Sequence, residues 1–114
     1  MNYLRLSPLV AIIATGCASQ QLPQQQMLDT NAALDSAEEI DAGQTPSVDL
    51  HIKFAEDQLK IAKSLIEDGK EEEAERMLDR AQADAELALA KARTERSRNA
   101  ATEAWTEVNE LQNR

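Results

Sequence analysis

Three groups of side chains in this 114-residue chain could do chemistry: the single cysteine, Cys17, the single histidine, His51, and the carboxylates Glu71, Glu72, Glu73, Glu75, Asp79, Asp84 and Glu86. One cysteine makes no internal disulfide, and one cysteine with one histidine cannot complete a tetrahedral zinc site within a chain. His51 as a general base would need a nucleophile, an orienting group and a pocket. No serine-histidine-acid or cysteine-histidine set can be assembled around it, so the expectation is an exposed or half-buried side chain near a helix start. The carboxylates follow neither a calcium-loop pattern nor the Glu-x-x-His pattern of diiron bundles. They are expected to form a solvated acidic face, with weak divalent-cation binding as the alternative. The resulting expectation is a protein with no catalytic site, no metal and no cofactor. Acidic residues outnumber basic ones 21 to 12, for a formal charge of -9. That balance disfavours nucleic acid and anionic membrane surfaces, both of which are bound through clustered Lys and Arg.

Cys17 sits where an apolar run collapses into polar residues, in "VAIIATGCASQQ". The stretch before it carries one positive charge, Arg5, and an apolar centre, Leu9 to Ala14. A membrane span needs roughly 20 apolar residues, and this run is about half that. It reads as a processing signal. Ala14, Thr15, Gly16 and Cys17, followed by "ASQQLPQQQ", resemble the lipobox of a bacterial lipoprotein. The resemblance implies a diacylglycerol on the Cys17 thiol, cleavage after Gly16 and acylation of the new amino group. Two or more chains would anchor firmly where one binds only marginally. Ala18 is not the Asp that, in this pattern, marks inner-membrane retention, so the implied address is the inner leaflet of the outer membrane, facing the periplasm. The other reading of Cys17 is an inert thiol in a leader. The expected division is a signal peptide over 1–16, a lipidated cysteine with a flexible Gln-rich tether over 17–27, and a helical domain over 28–114.

That domain reads as helical throughout. In "LDTNAALDSAEEIDAG", Thr30, Ala33, Leu34, Ala37, Ile40 and Asp41 recur at helical spacing, Asp29 or Thr30 can cap, and Gly43 is the stop. The stripe is thin, and such a helix needs a partner surface. Thr45 and Pro46 then fit an N-cap with proline at the first helical position. The next helix places Leu50, Phe54, Ile61 and Leu65 on one side, widened by Ala55, Leu59, Ala62 and Ile66, and is ended by Gly69. After it, Ala74, Leu78, Ala81, Ala85, Ala88 and Ala92 alternate at spacings of four and three, a heptad seam of almost pure alanine that demands close approach of the facing helix. Met77, Leu87 and Leu89 are expected to broaden it.

Neither glycine nor proline occurs between Lys70 and Arg114. One helix over that interval would be about 65 Å long, twice the length of the helix before it. The part beyond Ala92 must therefore fold back at "RTERSRN", project as a rod, or bind something else. Its own stripe comprises Ala101, Ala104, Trp105, Val108 and Leu111. Trp105 is either a core plug for a folded-back segment or an interface anchor. Lys91, Arg93, Arg96 and Arg98 form a basic patch, either a polar bridge between two apolar stretches or a site for an acidic partner or the acidic belt of a second copy.

The stretch "FAEDQLKIAKSLIEDGKEEEAERMLDRAQADAELALAKA" resembles the core of a small family of bacterial envelope lipoproteins defined as a domain of unknown function. The match carries Ala33, Ala37 and Ile40 in the first helix, Pro46 before the second, and Leu59, Ala62, Leu65, Gly69, Glu73, Ala74, Leu78, Ala81, Ala85 and Ala88 in the hairpin, roughly Asp29 to Arg93. The chain departs from the family at "KEE", where an aromatic residue often follows the glycine, and in carrying His51 and Phe54. The resemblance implies a helical fold and an envelope location, and no enzyme activity. Some relatives join the module to a peptidoglycan-binding domain. "AKSLIEDGKEEEAERMLDRA" is also similar to one tetratricopeptide unit, but no second copy follows.

The expected fold is therefore all-α: a helical hairpin centred on Gly69 with a short N-terminal helix, as a small three-helix bundle or an elongated coiled-coil-like rod. The expected function is a lipid-anchored helical module that binds an envelope protein or a second copy of itself, through Trp105, Val108, Leu111 and the Lys91, Arg93, Arg96 and Arg98 patch. The alternative is a periplasmic spacer associated with the cell wall.

Overall fold

The computed structural model describes residues 23–114 and holds three helices: α1, Pro23–Asp41; α2, Pro46–Glu67; and α3, Glu71–Gln112. The expectations for the leader, for Cys17 and for the start of the tether lie outside the described residues.

The 42 residues of α3 form one uninterrupted helix, about 63 Å long. Its seam is the one the spacing predicts: Ala74, Leu78, Ala81, Ala85, Ala88 and Ala92 are all buried. Both shorter helices pack chiefly against α3 and touch each other little. α2 runs antiparallel to α3 through the turn at Gly69, which adopts φ +72. There the Lys70 N–H donates to the Leu65 carbonyl at 2.9 Å and the Gly69 N–H to the Ile66 carbonyl at 3.1 Å, closing the orphan carbonyls of the helix end in a Schellman motif. α1 returns parallel to α3. Thr45 occupies the N-cap of α2 with Pro46 beside it, as expected, but its hydroxyl makes no capping bond. Instead the buried carboxylate of Asp41 accepts the Thr45 N–H at 2.9 Å, tying the end of α1 to the start of α2.

Two elements differ from the sequence expectation. α2 buries Val48, Ile52, Ala55, Leu59 and Ala62, while Leu50, Phe54, Ile61 and Ile66 remain more than two-fifths exposed. The reason is the alanine seam: a facing helix that comes this close is met best by smaller side chains, and the face of α2 rich in Ala and β-branched residues turns inward. On α3, Met77 and Leu89 lie about 60° either side of the seam and are partly buried against the core, as expected, whereas Leu87 lies about 140° from it and points outward. α1 also begins five residues before the expected domain boundary at 28. Pro23 stands at the helix start, where its missing N–H costs nothing, and the segment 23–27 is helical rather than flexible. Gln26 gives it a reason to dock: its amide donates to Asp79 Oδ1 at 2.8 Å and to Gln82 Oε1 at 3.0 Å across the groove to α3.

Candidate interaction surface

The three chemical groups come first. Cys17 lies outside the described residues. His51 is half-buried, with Nδ1 2.9 Å from Asp84 Oδ1, while Gln58 donates to Asp84 Oδ2 at 2.9 Å. One carboxylate of α3 thus holds two side chains of α2 lying two helical turns apart, and the imidazole stands edge-on to Phe54 with centroids 6.2 Å apart. Sequence reasoning named both His51 and Asp84 without pairing them, because the pairing depends on the hairpin register. The geometry is that of a strut: among the described residues no hydroxyl or thiol is hydrogen-bonded to the imidazole. Nor does any group of three or more His, Cys, Asp or Glu among the described residues converge to hold a metal ion.

The remaining feature is the second half of α3. Ala92 is the last buried residue of the seam, and from Arg93 to Gln112 the helix continues past the turn between α1 and α2 with every side chain exposed except the half-buried Glu95. It does not fold back, so Trp105 plugs no core: it is 68% exposed, and Val108 and Leu111 beside it are 41% and 59% exposed. The seam positions themselves turn polar here, as Glu95, Asn99, Thr102, Thr106 and Asn109. At 100° per residue, Ala101, Ala104, Trp105, Val108 and Leu111 centre about 160° around the axis from the buried seam. The extension is therefore apolar on the face away from its own bundle. Of the basic residues, Arg93 and Arg98 flank that face, while Lys91 and Arg96 lie further round the helix. Lys91, Arg93, Arg96 and Arg98 are distributed around the helix, and Arg98 pairs with Glu95 at 3.2 Å.

A hairpin with a flanking helix laid along an alanine seam, continued by a bare helical rod, is the class of structure defined here. The chain belongs to the family described as a domain of unknown function (DUF4398), which matches residues 25–104. The matched segment covers the bundle and most of the rod, and it ends one residue before Trp105. No curated protein and no solved structure matches the chain.

Proposed function

We propose that this is a non-catalytic, lipid-anchored envelope protein that works as a helical interaction or assembly module through the far face of α3. The observation that supports the reading most directly is the exposed Trp105, Val108 and Leu111 on one side of a regular helix that its own bundle leaves bare. Large aromatic and aliphatic groups at helical spacing are the anchors of helix-mediated recognition. The anchor is argued from Cys17 and the lipobox-like residues before it. Among the described residues no helix is long and apolar enough to cross a membrane. Attachment to the outer membrane, facing the periplasm, follows from that resemblance and from Ala18.

Metabolic labelling with a fatty acid tests the anchor: the chain takes up label and the Cys17→Ser variant does not. An unlabelled chain, in cells that label their other lipoproteins, contradicts it. For the surface, Trp105→Ala should abolish association while leaving helicity and melting unchanged. Unchanged partners together with altered sedimentation with the cell wall would instead favour the spacer reading, which the projecting rod of α3 also suits.

A further inference from the structure

The apolar face of the rod does not begin at Ala101. Traced back along α3, it continues through Ser97, Thr94 and Ala90 to Leu87 and Ala83, so that nine positions from Ala83 to Leu111 follow each other at alternating spacings of four and three. None is charged, and all are exposed. This is a second heptad seam, about 42 Å long, on the side of α3 opposite the first. It contains Leu87, Val108 and Leu111, with Trp105 along its edge. Its hydroxyls are already satisfied: Thr94 donates to the Ala90 carbonyl at 2.9 Å and Ser97 to the Arg93 carbonyl at 3.0 Å. Covering them would leave no orphan donor. A shallow groove lined by Arg93, Thr94, Ser97, Arg98 and Ala101 marks its midpoint.

The charges beside the seam identify what covers it. Between Lys91 and the midpoint the bases Lys91, Arg93, Arg96 and Arg98 meet one acid, Glu95, with Asp84 and Glu86 further back along the seam, whereas Glu103, Glu107 and Glu110 follow the midpoint with no base until Arg114. A helix that is basic on one side of a point and acidic on the other complements itself when reversed about that point. Resting on the reading of this surface as an interaction site, we propose that its partner is a second copy of the chain, paired antiparallel about a twofold axis near Asn99. In that register Leu87 meets Leu111 of the partner, Ala90 meets the partner's Val108, and the small residues Thr94, Ser97, Ala101 and Ala104 fill the centre, where the helices approach closely. Flanking the seam, Arg93 faces the partner's Glu107 and Glu86 faces the partner's Arg114, each pair formed twice. Arg98 meets its own mate near the axis, with Glu95 at 3.2 Å already offsetting its charge. A parallel pairing would set Arg93 against the partner's Arg98 and the two acidic bundles side by side, both repulsive.

The test uses the full chain in intact cells and a thiol crosslinker of about 10 Å reach, with unsubstituted chain as the background. Leu87→Cys and Leu111→Cys lie about 36 Å apart within one chain. In the antiparallel pair they are adjacent between copies, and each is far from its own mate. The double variant should form a crosslinked dimer, as should co-expressed single variants together, while neither single variant alone does. Adding Arg93→Glu to the double variant should weaken association about tenfold, and adding Glu107→Arg to the same chain should restore it. Self-crosslinking of Leu111→Cys alone would overturn the antiparallel arrangement. Absence of any dimer would overturn self-association altogether; a photocrosslinker at Val108 then separates the two claims. Capture of a different protein leaves the interaction reading standing without this partner, and capture of nothing removes both.

Discussion

At the residue scale, alanine defines this core. Ala81, Ala85 and Ala88 are wholly buried, so the helices meet with almost no side chain between them. Such a seam tolerates loss of volume better than gain. Ala85→Leu should therefore destabilise the bundle by about 3 kcal/mol, at the upper end of the overpacking range, read from urea unfolding; a loss below about 0.5 kcal/mol would mean the helices stand further apart. Leu78 is the largest fully buried side chain, and Leu78→Ala should cost about 2–5 kcal/mol by the same measurement. The polar struts are a second test of the packing. Asp84→Ala leaves both His51 and Gln58 without their acceptor in a half-buried site, a loss of about 1–3 kcal/mol.

At the scale of elements, the two turns carry the backbone conformations that sequence alone marks unevenly. Gly43 and Gly69 adopt φ +71 and +72, but Ala42 also lies in the left-handed region at φ 49. A Cβ at Gly69 would meet nothing within 4 Å, so the cost of Gly69→Ala is conformational alone, about 1 kcal/mol. Ala42→Gly should stabilise by a similar amount, and thermal melting of the two variants should move in opposite directions. Much of this level was legible beforehand. The Gly69 turn, the stop at Gly43, the Thr45–Pro46 start and every buried position of the α3 seam follow from spacing and turn chemistry. The inward face of α2 followed only in part: Ala55, Leu59 and Ala62 are among the expected apolar positions, but Val48 and Ile52 are not, because that helix carries two apolar stripes and the one with Leu50, Phe54 and Ile61 looks like the core until the size of the facing residues is weighed. The early start of α1 was obscured by its glutamines, since nothing local announces that Gln26 finds Asp79 and Gln82 on a helix more than fifty residues away. The end of α3 was legible as an apolar stripe but not as a free one, because the choice between folding back and projecting depends on which face the stripe occupies relative to the seam.

At the scale of the whole molecule, the bundle and the rod are separable. The rod's side chains make no core, so a chain ending at Arg98 should keep its thermal midpoint within the small range of surface changes, about 0.5 kcal/mol, while losing Trp105 and its neighbours. A large fall in the midpoint would mean that the rod supports the bundle. Pro23 lies toward the Gly69 end of the bundle, and the tip of α3 lies at the other. On the proposed function, the acidic three-helix body is a stand and the outward face of α3 is what it presents. The most direct measurement is site-specific photocrosslinking of the full chain in intact envelopes, with the photoreactive group at Val108 in one variant and at the exposed Glu56 of the bundle in another. The account predicts a discrete protein adduct, whether with a second copy or with another protein, from Val108 and none from Glu56. Adducts from Glu56 with none from Val108 would contradict it.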